Sequence, residues 1–180
     1  MTDESGQLIG PFAIMLIAPR IGQAVESLGT ALRIQSSLSP RIRELAILTV
    51  ASRLHSDFEW FAHEPAARDA GITAAQLTEL RSQEIPCGLD EGEKTAVEAI
   101  NLILEARSLD AASYERAEAL LGEQGIAELV WLCGYYSMLA VALDVFPTSI
   151  SQASPIQTRT GACSAETASK LAPASKAPGS

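Results

Sequence analysis

Ser39-Pro40-Arg41-Ile42-Arg43-Glu44-Leu45-Ala46-Ile47-Leu48-Thr49-Val50-Ala51 is the stretch whose pattern decides the fold. A serine followed by a proline marks a helix start. The serine can cap the orphan N–H groups, and the proline takes the first helical position, where its own missing N–H has no bond to lose. Behind this start Ile42, Leu45, Ala46, Thr49 and Val50 recur at helical spacing. The same signals repeat outward along the chain. Ser56-x-x-Glu59, Thr73-x-x-Gln76 and Asp90-x-x-Glu93 are capping-box patterns that open helices over about 56–70, 73–82 and 90–107. Asp110 caps another, ending near Leu121-Gly122. The last runs from about Gly125 to Phe146 and stops at Pro147, and an earlier one covers Ile21 to Ile34. No stretch sustains strand alternation, so the expected class is all-α: a single compact helical domain of about seven helices.

Composition sets the limits of that domain. From Thr148 to Ser180, 23 of 33 residues are Ser, Thr, Ala, Pro or Gly, and the large aliphatics are Ile150, Ile156 and Leu171 alone. Such a segment cannot bury enough apolar surface to offset its ordering entropy, so a disordered tail is expected over 148–180, taking Cys163 with it. Residues 1–10 read as a flexible N-terminus and 11–147 as the helical domain. The run Leu129 to Leu143 is free of charge but shorter than the roughly 18–20 residues a bilayer needs, and it reads as a buried central helix. The polar start of the chain, with Asp3 and Glu4, lacks the basic and apolar regions of a secretion signal, so the expected location is the cytoplasm.

Charge and metal-binding residue types exclude several functions. A net charge of −9 with no basic cluster argues against nucleic acid and anionic membrane as partners. Cys87, Cys133 and Cys163 lie far apart with no CxxC, and two histidines, His55 and His63, cannot form a three-His centre; no metal site is expected. What remains is one chemistry-bearing face. On a helix starting near Ser56, residues 56, 59 and 63 fall at i, i+3 and i+7, so a hydroxyl, a carboxylate and an imidazole share a side. Glu44 lies on the helix before, and a turn between the two could return its carboxylate to that face.

These residues carry a resemblance. Arg43-Glu44-Leu45-Ala46-Ile47-Leu48, then Phe58-Glu59-Trp60-x-x-His63-Glu64-Pro65-x-Ala67-x-x-Ala70-Gly71, resembles the carboxymuconolactone decarboxylase family of the alkylhydroperoxidase D-like superfamily. It continues through Leu120-Leu121-Gly122-Glu123-x-Gly125, Glu128-Leu129-Val130 and Gly134-Tyr135-Tyr136. The peroxidase branch carries Glu, then CxxC, then His four residues after the second Cys. Laid on this chain, the Glu falls on Glu44, the cysteines on Ser56 and Glu59, and the His on His63. With both redox cysteines absent, thiol peroxidase chemistry loses its nucleophile and its resolving thiol.

The decarboxylase branch implies loss of CO2 from an unsaturated lactone acid without a cofactor. Glu44, Glu59 and His63 are then the expected catalytic groups, because an imidazole held by a carboxylate can deliver a proton near neutral pH. Arg43 and Arg53 are the expected holders of the substrate carboxylate, with Ser56, Trp60 and Tyr135 as further substrate contacts. The family also implies a homo-oligomer, a trimer or hexamer. The all-round apolar last helix points the same way, because such a helix must be covered on every side. Two other readings stay open: a hydroperoxide reductase using Cys87 or Cys133, and a non-catalytic oligomeric ligand-binding protein.

Overall fold

A computed structural model describes residues 10–146; the flexible N-terminus and the tail expected from the sequence lie outside the described residues, apart from Gly10. The described residues are all helical, with no strand among them. Seven elements follow in order: α1 (Pro11–Met15), α2 (Pro19–Ile34), α3 (Pro40–Arg53), α4 (Asp57–Asp69), α5 (Ala74–Arg81), α6 (Glu91–Ala106) and α7 (Ala111–Val145). The one-turn α1 has no counterpart in the sequence reading. The two helices expected after Asp110 form one element broken at Gly122, whose φ of 73° and ψ of 165° leave the helical region.

Four of the five expected start signals work as anticipated. The Ser39 side chain accepts from the Ile42 N–H, both capping boxes at Thr73 and Asp90 are reciprocal, and the Asp110 side chain accepts from the Ser113 N–H. The fifth is corrected. Ser56 stands at the N-cap of α4 but makes no side-chain cap bond, and Glu59 does not reach back to it. Glu59 turns inward and is buried.

The middle of the domain is α3. Glu44 through Ser52 are buried without interruption, so this helix has no solvent face. It packs against α4, α5, α6 and α7. Ala46, Ile47 and Val50 join Ile100 of α6 and Leu129, Leu132 and Tyr136 of α7 in one core. Leu45, Leu48 and Ala51 join Trp60, Leu77 and Leu80 in a second core on the other side. At about 25 cal/mol per Å² of apolar area buried, the two cores together are the main term holding the helices in place.

The sequence reading has the last helix covered on every side with help from a second subunit, and within the single chain only one face is covered. One face of α7 packs inward. The other exposes Val130, Met138, Val141 and Val145, with Trp131 beside them at 64 % exposure. Their spacing follows one helical stripe, and Gly134 leaves it locally bare, with no atom within 4 Å of where a Cβ would stand. The most apolar 18-residue window of α7 is half buried against the other helices, as a core helix with one uncovered side would be.

Candidate active site

A tight turn brings α4 back against α3. His55 occupies the left-handed region there, with φ 54°, and the Ser56 N–H bonds to the Ala51 carbonyl. The reversal sets His63, on the second turn of α4, opposite Glu44, on the second turn of α3. His63 Nδ1 lies 2.8 Å from Glu44 Oε2. On the other side of the ring, His63 Nε2 lies 3.1 Å from the Tyr136 hydroxyl of α7. With Glu44 as a carboxylate, the Nδ1–H donates to it and Nε2 accepts from the tyrosine O–H, which places the neutral ring's proton on Nδ1. Both ring nitrogens are therefore engaged. The rings of His63 and Tyr136 meet edge to face at 5.1 Å, and Tyr135 stacks on Tyr136 in the same way at 5.1 Å.

Glu59 lies one turn before His63 on the same side of α4. It is 3 % exposed, and its Oε1 has no hydrogen-bond partner. Burial pushes its carboxyl up from 4.5 to about 7, against the pull of His63 and Arg33, so near neutrality it holds a proton about half the time. Burial likewise pushes the Tyr136 hydroxyl up, with Glu59 adding to the effect, so this phenol stays protonated. Arg33, in the last turn of α2, completes the cluster. Its guanidinium stands close to both tyrosine hydroxyls and pulls against their rise. Arg33 and His63 are half-buried, while Glu44, Glu59, Tyr135 and Tyr136 are buried.

The structure thus brings together the three expected catalytic residues, Glu44, Glu59 and His63. It divides the expected substrate contacts. Tyr135 belongs to the cluster, but Tyr136 is the tyrosine on His63. Ser56 shares the helix face of Glu59 and His63. Arg43 lies beside the other oxygen of Glu44, at 3.7 Å, with a buried Nε that makes no hydrogen bond. Arg53 is a correction. Nine residues after Glu44, at about 100° per residue, it lies half a turn round α3 and lines a small gap with Ser52, Leu80, Gln83 and Asn101.

Trp60 makes its contacts on the α5 side of α4. Its Nε1 donates to Glu64, and its ring lies under the Arg81 guanidinium at 4.7 Å. It faces a cleft of about 570 Å³ between α4 and α5, and His63 is not among the residues that line it. Sequence reasoning missed Arg33, which stands far upstream on another helix. The one local signal was Gly29 four residues before it. A Cβ there would come within 2.1 Å of the Tyr135 hydroxyl and 3.0 Å of Arg33 Nη1, so the glycine makes room for both.

The described thiols give no redox pair. Cys87 and Cys133 are both free; Glu79 pushes the Cys87 thiol up, and burial pushes up that of Cys133. No group of three or more His, Cys, Asp or Glu side chains that could hold a metal ion occurs among the described residues.

The chain matches no curated protein. Residues 19–102, which carry Arg33, Glu44, Glu59 and His63, match the model of the carboxymuconolactone decarboxylase family.

Proposed function

We propose that this protein is a cofactor-independent acid–base enzyme that decarboxylates a small unsaturated lactone or carbonyl acid. One observation carries the reading: His63 is held at both nitrogens, by Glu44 at 2.8 Å and by the Tyr136 hydroxyl at 3.1 Å. A histidine so fixed is a relay with a defined direction. When the C–C bond to the carboxylate breaks, CO2 leaves and its electron pair stays on the substrate as an enolate. The site must stabilise that oxyanion and then protonate carbon. In this reading the Tyr136 hydroxyl gives its proton to carbon as it takes one from His63 Nε2, in a single concerted movement, because a free phenolate in this buried position is costly. The step starts from an imidazolium facing the Glu44 carboxylate and leaves a neutral ring. Solvent returns the proton to His63 between turnovers. The protonated Glu59 carboxyl, with Oε1 unpaired, is a donor for the developing oxyanion.

We further propose that the active form is a homo-oligomer in which the apolar stripe on α7 meets a second copy, and that it works in the cytoplasm. The stripe from Val130 to Val145 supports this, since exposed apolar surface of this continuity marks an interaction site.

The test is CO2 release from 4-carboxymuconolactone and a panel of unsaturated lactone acids and β-keto acids, with wild type and His63→Ala compared. General acid–base assistance contributes about 10²–10⁴-fold, and the variant is expected to lose that much in kcat. An unchanged kcat would remove His63 from the mechanism. No turnover of any acid by the wild type would overturn the decarboxylase reading in favour of ligand binding without chemistry.

A further inference from the structure

We infer that Arg33 is the residue that receives the anionic group of the substrate, with the Tyr135 hydroxyl beside it as a second donor, so that α2 and not α3 sets specificity for acids. The inference rests on the acid–base reading of the same cluster, but it concerns binding and is testable without turnover.

Four observations support it. First, Arg33 makes no ion pair within 4.0 Å among the described residues. The other two candidate arginines differ from it: Arg43 already faces Glu44, and Arg53 lies half a turn round α3 from the site. Second, Arg33 is half-buried, so its charge is screened less than a surface charge while some of its donors remain reachable. Third, its surroundings are shaped to it. Gly29 leaves the space that the Tyr135 hydroxyl and Arg33 Nη1 both occupy; an alanine Cβ would stand 2.1 Å from the one and 3.0 Å from the other. Fourth, Glu59 Oε1 is an unpaired polar atom in the same buried cluster, at 3 % exposure.

A guanidinium, a phenol O–H and a carboxyl without a partner are together a donor set for a planar carboxylate. The arrangement also orients the substrate. An anion held at Arg33 lies on the α2 side of the tyrosine pair, and Tyr136 then presents its hydroxyl between that anchor and His63.

The experiment is isothermal titration of the full chain with 2-furoate and with maleate, and with the uncharged methyl 2-furoate. These are small unsaturated compounds that the proposed chemistry does not consume. Expected is saturable binding of at least one of the two acids, at least tenfold weaker binding of the ester, and a Kd raised roughly 10- to 100-fold in Arg33→Gln. Arg33→Lys should retain part of the affinity, since it keeps the charge and loses the fork. Arg53→Gln should bind as wild type does. An unchanged Kd in Arg33→Gln, an ester that binds as well as its acid, no binding of either acid to the wild type, or a loss seen in Arg43→Gln alone would each overturn the inference. Should Arg33→Gln fail to fold by circular dichroism, the Arg33→Lys and ester comparisons decide. Arg33-dependent binding without any CO2 release would sink the decarboxylase reading and leave this one standing. Turnover with acid binding indifferent to Arg33 would do the reverse.

Discussion

Glu59→Gln separates the electrostatics of the cluster from its packing. Glutamine keeps the size and shape of the side chain and cannot ionise. In the folded protein Glu59 holds its proton up to about pH 7, because burial outweighs the pull of His63 and Arg33; in the unfolded chain it releases it near 4.5. Between those values the folded chain carries the extra proton, so this residue's contribution to stability falls as pH rises and levels off above pH 7. At about 1.4 kcal/mol per pH unit the loss comes to about 3 kcal/mol. The assay is urea unfolding of both proteins from pH 5 to 8, at one protomer concentration so that assembly does not enter the difference. The stability of Glu59→Gln relative to wild type should rise by about 2.5 kcal/mol across that range, with most of the change below pH 7. A difference that is flat with pH would mean that Glu59 is not buried in the way described. A difference that falls with pH would mean that the folded state binds the carboxylate, and the proposed oxyanion donor would be lost.

Three further outcomes follow from the same geometry. Ser39→Ala should cost about 1 kcal/mol in chemical unfolding, because it removes the cap on Ile42 N–H, while Ser56→Ala, which has no such bond to lose, should stay within about 0.5 kcal/mol. Tyr136→Phe should leave the far-ultraviolet circular dichroism unchanged and lower kcat for CO2 release by about 10²-fold or more; full activity would place the proton path elsewhere. Val141→Lys, at the middle of the exposed α7 stripe, should reduce the mass measured by light scattering, and a monomeric wild type at micromolar concentration would remove the proposed assembly.

The fold was legible because its start signals are local. Ser39-Pro40, Thr73-x-x-Gln76 and Asp90-x-x-Glu93 each act within one turn of helix, and the structure forms each of those bonds. Ser56-x-x-Glu59 shows the limit of that logic. The spelling is a capping box, but the site competes for the same carboxylate, and Glu59 turns into the cluster. The α3–α4 pairing of Glu44 with His63 could be anticipated, since a short turn must bring neighbouring helices together. Which tyrosine of Tyr135-Tyr136 meets His63 could not be read, because adjacent residues differ by about 100° and the packing angle of α7 selects between them. Arg33 was invisible for a stronger reason: its approach depends on the packing of α2 on α7, a contact with no spacing rule in sequence. How α7 divides between a face packed on its own chain and an exposed one could not be read, because an all-apolar helix looks the same in sequence whether its own chain or another covers it.

The cluster holds two carboxyl groups with different partners, and that difference gives each a separate task. Glu44 accepts from His63 Nδ1 and has Arg43 near its second oxygen. Glu59 has no donor on Oε1, and burial, against the pull of His63 and Arg33, keeps its proton on about half the time near neutrality. If both carboxyls were ionised, an anionic substrate would meet two negative charges in a site of low dielectric. In the proposed reaction, a neutral Glu59 removes that repulsion and serves as a donor where the enolate oxygen forms. In the proposed binding mode the positive charge of Arg33, which forms no ion pair among the described residues, acts on the incoming acid. The peroxidase pattern of the superfamily would put a thiol at position 59, and here the position carries a buried carboxyl instead. On the proposed reading this position supplies a proton where that pattern supplies a redox group.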